Sequence, residues 1–278
     1  QLYGRPASDI TSKTRAQVKL EHDDLFSFSN CYDVQFDNII VDGTHTIPGS
    51  WGYAFSINNM LKTQMHRVLA DANWGVVGTY NMSDTRLDRC HLNRFDIHCY
   101  GRDVRCTHCY LHSKQTQFSS FYGNLWFDSC RFDDCIPVRI RGDYNAHTPF
   151  TITFEDCSFR TTSRYHYLVD IILYDTTHNA RPELRTRNFP VVAIQGLSVE
   201  MPFGVRTLDI YHPTGATKVC KEGIEHMQTL YVEGMQFNKK WQLGKPRLRL
   251  SPVPIHTVRD FEVRSAQQPV NSKNVRKK

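Results

Sequence analysis

Leu87-Asp-Arg-Cys90-His-Leu92 is the first of four segments that share one six-residue pattern. The pattern has apolar residues at positions one and six and cysteine at position four, and it returns as Cys106-Thr-His-Cys109-Tyr-Leu111, Phe127-Asp-Ser-Cys130-Arg-Phe132 and Phe154-Glu-Asp-Cys157-Ser-Phe159. Because 40% of the chain is apolar, the apolar positions alone would recur by chance, but four successive cysteines in one position would not. The sequence therefore indicates a structure built from repeated units.

Weaker copies of the pattern extend the repeat in both directions, at 36–41, 65–70, 194–199, 232–237 and 258–263. From residue 36 the successive starts are separated by 29, 22, 19, 21, 27, 40, 38 and 26 residues. A basic period near that of the middle units, lengthened elsewhere by insertions, is typical of a solenoid.

A second set of strand-like runs lies between the patterns, at 95–100, 118–122, 138–141, 169–174 and 205–211. Short strands that repeat in this way predict an all-β fold, and we expect a right-handed single-stranded parallel β-helix of about nine rungs with inserted loops. A β-sandwich is the second choice. The expected domains are a lead-in segment at 1–24, the β-helix at 25–263 and a basic tail at 264–278.

In a β-helix the first, fourth and sixth pattern residues point inward, so the four cysteines stack at about the 4.8 Å strand spacing. We expect these thiols to be reduced and buried, because they occupy apolar positions and the total of nine cysteines is odd. The third pattern residue would occupy a tight bend, where small, polar and glycine residues are suited: Asn38, Arg89, His108, Ser129, Asp156, Gly196 and Gly234.

The second pattern residue then faces outward and forms a column: Asp37, His66, Asp88, Thr107, Asp128, Glu155, Gln195, Glu233 and Arg259. The residues just before the patterns, Arg86, Arg105, Trp126 and Thr153, are expected beside it. Aromatic rings stack on sugars, and cations and carboxylates bind acidic groups and hydroxyls, so this mixture favours sugar recognition.

Paired carboxylates in this column could hydrolyse a glycosidic bond. Asp128 and Glu155, on adjacent rungs about 4.8 Å apart, approach the roughly 5 Å separation of retaining enzymes. Asp88 and Asp128, two rungs apart, would lie about 10 Å apart, near the inverting range. The predicted catalytic residues are therefore Asp128, Glu155 and Asp88, and the predicted substrate-binding residues of this face are Trp126, Arg86 and Arg105.

A second candidate face is formed by the strand-like runs, where Asp96, His98, Arg139, Arg141, Asp170 and Asp209 alternate with apolar residues. Alternation predicts that these polar side chains are exposed. Asp96, Arg139 and Asp170 are predicted to bind an acidic sugar here. A lyase reaction is the alternative chemistry for this face, with a cation neutralising a uronate and a base removing its C5 proton.

Charge and motifs exclude other classes of function. The excess of 34 basic over 28 acidic residues, a charge of +6, suits an acidic polymer, but no recognisable nucleic-acid-binding module is present. No apolar run approaches the ~20 residues that span a bilayer, so we expect no membrane insertion. Phosphate-binding, dinucleotide and zinc-protease motifs are absent, so no cofactor and no metal are predicted.

The four cysteine-containing patterns, with Phe36-Asp-Asn-Ile-Ile-Val-Asp-Gly43 before them, resemble the right-handed β-helix domains of bacteriophage tailspike polysaccharide depolymerases. The resemblance covers roughly residues 25–263 and concerns the fold pattern, without a catalytic signature. It implies a homotrimeric spike, in the virion tail or outside the cell, that binds and cleaves a bacterial surface polysaccharide with a pair of acids. A polysaccharide lyase and a non-catalytic glycan-binding adhesin or structural spike segment remain the alternatives.

Overall fold

The structure is a computed structural model that describes residues 26–41, 53–70, 75–78, 81–98, 101–113, 115–119, 121–141, 150–162, 166–172, 191–201, 207–214, 226–233, 235–237, 247–249 and 257–264. The lead-in segment at 1–24 and nearly all of the basic tail lie outside these residues.

The described residues form strands and no helix, as the all-β prediction required. The strands are β1 (Phe26–Asp37), β2 (Ile40–Val41), β3 (Phe55–His66), β4 (Leu69–Ala70), β5 (Val76–Gly78), β6 (Met82–Asp88), β7 (His91–Leu92), β8 (Phe95–Ile97), β9 (Gly101–Thr107), β10 (Tyr110–His112), β11 (Gln115–Ser119), β12 (Phe121–Asp128), β13 (Arg131–Asp133), β14 (Ile136–Arg141), β15 (Phe150–Arg160), β16 (Tyr167–Ile172), β17 (Val191–Glu200), β18 (Thr207–Thr214), β19 (His226–Glu233), β20 (Gln236–Phe237), β21 (Arg247–Arg249) and β22 (Thr257–Arg264).

Every strand pairing among these residues is parallel, and each strand pairs with its equivalent in the next passage of the chain, which we call a coil. The pairings make three ladders. The first runs β1-β3-β6-β9-β12-β15-β17-β19-β22, the second begins β2-β4-β7-β10-β13, and the third runs β3-β5-β8-β11-β14-β16-β18-β21. Long parallel ladders are consistent with a parallel β-helix, and they do not fit the antiparallel sheets of a β-sandwich.

The first ladder aligns the six-residue patterns with one another. Their first residues are partners in register from coil to coil: Phe36, Met65, Leu87, Cys106, Phe127, Phe154, Ile194 and Val232. The last pattern is misplaced, because Val263 pairs with Val232 and Arg264 pairs with Glu233. The prediction that Arg259 belongs to the outward column is therefore wrong by five residues.

The cysteines of the pattern stack in the interior, as predicted. Cys90, Cys109, Cys130 and Cys157 are free and buried, and each thiol donates a hydrogen bond of 3.3–3.4 Å to the carbonyl of a first pattern residue one coil earlier. The hydrogen bond with Cys109 is the main cause that raises the pKa of the Cys130 thiol, and burial raises it further. The hydrogen bond with Cys130 and the burial of the side chain raise the pKa of the Cys157 thiol in the same way. These two thiols therefore stay protonated and unreactive at neutral pH.

The third pattern residue occupies a bend with left-handed backbone geometry. Its φ angle is positive in seven coils: Asn38 (53°), Arg67 (51°), Arg89 (51°), His108 (52°), Ser129 (53°), Asp156 (47°) and Gly196 (73°). Six of these positions were predicted as bends, and Gly234 lies outside the described residues. The left-handed region is costly for most side chains, so the surrounding structure must hold the chain there.

Two further columns of bends were not predicted. One contains Asp33, Lys62, Asp84, Asp103 and Gly123, all with positive φ. The other contains Asn30, Asn59 and Asn81, whose side-chain amides form a ladder with N–H···O distances of 3.1 and 3.0 Å. Asparagine tolerates the left-handed region, and its amide can donate to one coil and accept from the next.

The apolar core contains two hydroxyl groups that it does not satisfy. Thr63 and Thr85 are partners in the first ladder and point inward, with Val104 next in the same column. Neither Oγ1 atom has a hydrogen-bond partner among the described residues. Burying an unpaired hydroxyl lowers stability by about 1–3 kcal/mol.

We expect Thr85→Val to stabilise the protein by about 1 kcal/mol, because valine keeps the shape and removes the unpaired hydroxyl. Thr116→Val is the matched control, since Thr116 is also buried but its Oγ1 donates to the Pro137 carbonyl, and it should destabilise. Denaturant unfolding of both variants measures the two changes. Destabilisation by both would show that the Thr85 hydroxyl does have a partner.

Candidate functional site

The outward residues of the pattern form one line across the first ladder, which we call the acidic line. Its members are partners in register and none is buried: Asp37, His66, Asp88, Thr107, Asp128, Glu155, Gln195 and Glu233. The neighbouring line contains Arg86, Arg105, Trp126 and Thr153, also in register. The structure thus places the predicted sugar-binding mixture on a single sheet face.

Four side chains at the centre of this face contact one another. Arg105 Nη2 donates to Asp128 Oδ2 over 2.9 Å, and its guanidinium lies 4.3 Å from the centre of the Trp126 ring. Trp126 Nε1 in turn donates to Glu155 Oε2 over 3.0 Å. The strands alone fix this order, because Arg105, Trp126 and Thr153 are successive partners beside Thr107, Asp128 and Glu155.

Arg105 sets the protonation state of Asp128. Its hydrogen bond is the main cause that lowers the pKa of the Asp128 carboxyl, and the Ser129 hydroxyl, 2.9 Å from Oδ1, lowers it further. Burial works in the opposite direction. Asp128 is therefore ionised throughout the neutral and mildly acidic range and cannot serve as a proton donor there.

Asp88 belongs to a different group of side chains. His66 lies between two carboxylates, with Nδ1 2.7 Å from Asp37 and Nε2 3.4 Å from Asp88. Arg89 Nη1 donates to Asp88 over 2.9 Å, and His108 Nδ1 is 3.6 Å from it. Thr107 separates Asp88 from Asp128 in the line, so the structure brings Asp128 and Glu155 together but leaves Asp88 apart.

The two predicted arginines also differ. Arg105 is held against Trp126 and Asp128, whereas Arg86 is largely exposed and, among the described residues, forms an ion pair only with Asp84, 3.4 Å away. Arg86 therefore has the freedom to contact a ligand, while Arg105 shapes the site.

The two faces of the Trp126 ring meet different neighbours. Arg105 lies over the ring from the preceding coil, and in the following coils the partner positions hold the small residues Thr153 and Ala193. Both small residues are partly exposed, and Glu155 and Gln195 lie beside them in the acidic line. The register thus leaves a step beside Trp126, bordered by a carboxylate and an amide.

The three aspartates of the second predicted face are buried, contrary to expectation, whereas His98 and Arg139 are partly exposed. Asp96 and Asp170 have no exposed surface, although Phe95 and Ile97 on either side of Asp96, and Val169 before Asp170, belong to the core. Asp96 Oδ2 accepts from Tyr53 Oη (3.0 Å) and Arg94 Nε (2.6 Å), and Asp170 accepts from Arg139 Nε (2.7 Å). The alternation of polar and apolar residues correctly predicted that these carboxylates point away from the core. It could not show that other side chains cover them.

Tyr53 is the site residue that sequence reasoning missed. It precedes β3 and lies 43 residues from Asp96, so no local pattern connects the two.

Cys106, Cys109, Cys130 and Cys135 are all free, and the described residues contain no group of three or more metal-binding side chains arranged around a common point. The described part of the chain also has no helix long and apolar enough to cross a membrane.

Comparison with protein-family models, curated proteins and solved structures finds no match to this chain. The resemblance to tailspike depolymerases therefore depends on the repeated residues and on the parallel ladders that they form.

Arg105→Gln should raise the pKa of Asp128 towards its ordinary value, because the main group that stabilises the carboxylate is lost. The folded-state pKa is depressed, so ionised Asp128 adds stability above its unfolded pKa and loses it as pH falls through the lower folded pKa. In the variant the folded-state pKa approaches the unfolded value, so this pH-dependent contribution to stability should shrink. Carboxyl NMR titration measures the pKa, and Arg86→Gln, which removes an arginine that bonds Asp84, is the control that should leave it unchanged.

Proposed function

We propose that this protein is a right-handed parallel β-helix of the tailspike depolymerase type, which binds a bacterial surface polysaccharide on the first ladder and hydrolyses it. The observation that carries the proposal is the cluster Arg105-Trp126-Asp128-Glu155 beside the step formed by Thr153 and Ala193. A pyranose ring on this step would stack against Trp126, and its hydroxyls would bond to Glu155 and Gln195.

The protonation state of Asp128 supports a retaining mechanism. A retaining glycosidase needs one ionised carboxylate as nucleophile and one protonated acid, with the two groups about 5 Å apart. Asp128 and Glu155 are partners on adjacent strands, about 4.8 Å apart at the backbone. Because Arg105 keeps Asp128 ionised, we assign Asp128 as the nucleophile and Glu155 as the acid.

A non-catalytic adhesin is the second candidate, and a specific observation favours it. Asp128 is bonded to Arg105 and Ser129, and Glu155 is bonded to Trp126, so both carboxylates already have partners that give them a structural role. In that case the same step binds a glycan without cleaving it. The homotrimer and the location in a virion tail belong to the proposal in either form.

Asp128→Asn and Glu155→Gln should each reduce cleavage by about 10²-fold or more, because an amide can neither attack the anomeric carbon nor transfer the proton. The measurement is reducing-end release from a panel of bacterial capsular and exopolysaccharides. Asp133→Asn is the matched control, since Asp133 is also paired with an arginine, Arg131, but lies on β13.

Trp126→Ala should instead weaken glycan binding about 10-fold, which corresponds to ~1.4 kcal/mol of stacking. Tyr122→Ala is the control, because Tyr122 lies on the same strand but on the other side of the Gly123 bend. Unchanged binding in Trp126→Ala would contradict the site in both of its forms. Binding that depends on Trp126 without any release of reducing ends would identify the adhesin.

A further inference from the structure

Four consecutive coils place a cysteine at the same interior position, and we call this row of side chains the thiol column: Cys90, Cys109, Cys130 and Cys157. The coils on either side fill that position with ordinary apolar core residues: Ile39, Val68, Leu197 and Met235. Because Val68 and Leu197 are as fully buried as the cysteines, packing at this position does not require sulfur. The run of four thiols therefore calls for an explanation from the chemistry of sulfur.

Hydrogen bonds to the backbone do not explain the run. Each thiol of the column donates to a carbonyl of the preceding coil. Cys135, which lies between β13 and β14 and outside the column, donates in the same way to the Leu111 carbonyl over 3.4 Å. A single cysteine can thus make this bond, and a thiol is only a weak donor. The bond gives no reason for thiols in successive coils.

The thiols of the column interact with one another as well as with the backbone. Cys109 interacts with Cys90 in the preceding coil and with Cys130 in the following coil, and Cys130 interacts with Cys157. Successive coils are separated by the strand spacing of about 4.8 Å. The column is therefore a continuous row of sulfur atoms with three gaps between them.

The spacing of the column suits a metal ion between two sulfurs. A bond from thiolate sulfur to zinc is about 2.3 Å long, so an ion of similar size midway between two thiolates bridges about 4.6 Å, close to the strand spacing. An ion in a gap has one sulfur on each side along the column. Zinc prefers four ligands, whereas Cu(I) is a soft ion that selects thiolates and accepts two of them in a line. The arrangement therefore favours Cu(I) over Zn²⁺.

We propose that the thiol column is a binding site for Cu(I), with one ion in each gap and each ion held linearly by the sulfurs of successive coils. Cys109 and Cys130 then each bridge two ions, whereas Cys90 and Cys157 each bind one. The copper stays Cu(I) throughout, so no electron is transferred.

Proton release keeps the loaded column neutral. Each Cu⁺ that enters replaces one thiol proton, which leaves to solvent, so three ions displace three protons and the net charge does not change. This balance matters because the column lies in the apolar core, where an uncompensated charge is strongly penalised. A divalent ion that displaced a single proton would leave such a charge.

The ions would also join the coils. The column is closed to solvent, since its cysteines are at most 2% exposed, so Cu(I) must enter when neighbouring coils separate or while the chain folds. An ion that binds the folded chain better than the unfolded chain stabilises the fold. Copper-loaded protein should therefore unfold at a higher temperature than copper-free protein.

The test counts the Cu(I) ions that the protein retains after desalting without oxygen. The full chain is loaded with the Cu(I) complex of bicinchoninate in two ways, as native protein and during refolding. Cys130→Val should lower the number retained by two per chain, because it removes two gaps, and Cys157→Val should lower it by one. Valine is chosen because Val68 fills the same position. Cys135→Val, which removes a buried thiol outside the column, is the matched control and should leave the number unchanged.

X-ray absorption at the copper edge gives the coordination directly, with two sulfur neighbours expected for each ion. Thermal unfolding without copper shows whether each variant folds, and Cys157→Val carries the comparison if Cys130→Val does not. No Cu(I) retained by the wild-type chain in either preparation would overturn the proposal. Equal retention by the wild type and by the folded column variants, or copper bound by nitrogen or oxygen, would overturn it as well.

Discussion

The backbone N–H donates to the next coil at five bend residues of the six-residue pattern, Asn38, Arg67, Arg89, His108 and Ser129, and the rest of the fold depends on this hydrogen bond. Arg89 N bonds the Thr107 carbonyl, His108 N bonds Asp128 and Ser129 N bonds Glu155, with distances of 2.8–2.9 Å. A left-handed backbone costs roughly 1–2 kcal/mol in side chains such as arginine and histidine. The bond to the next coil offsets this cost and repeats the bend at the same position in each coil.

Once the bends are in register, the chemistry of each face follows. The residue before a bend must point outward and the residue after it inward, so carboxylates form one line and cysteines another. Adjacent carboxylates repel each other, and residues of the neighbouring line offset this repulsion. Arg105 donates a hydrogen bond to Asp128, and the indole N–H of Trp126 donates one to Glu155. The candidate site is therefore a consequence of strand register, and a shift by one residue would turn Asp128 and Glu155 into the core.

The sequence was sufficient to predict the structural features that recur in every coil. Eight pattern starts, the cysteine stack and six bend residues follow from one template, because equal positions in a repeated coil share one environment. The asparagine ladder carried an available signal, since Asn30, Asn59 and Asn81 are separated by the same 29 and 22 residues as the first three patterns. Arg259 was misplaced because residues 258–263 match the apolar template, whereas residues 263–268, which begin at the true partner Val263, have glutamine at position six.

What does not repeat could not be predicted. The burial of Asp96 depends on Tyr53 and Arg94, which belong to no template, and the pairing of Asp209 with Arg249 joins residues 40 positions apart. The depressed pKa of Asp128 likewise requires the orientation of Arg105 as well as its position. Strand register predicts which residues are neighbours, while the directions of long side chains decide which of them bond.

An experimental structure of the protein with a bound oligosaccharide from the polysaccharide that it recognises tests the central claim most directly. The account predicts Asp88, Thr107, Asp128 and Glu155 in one outward line, with a sugar ring against Trp126 above Thr153 and Ala193. A strand register displaced by one residue, or a sugar bound on a face remote from Trp126, would contradict it.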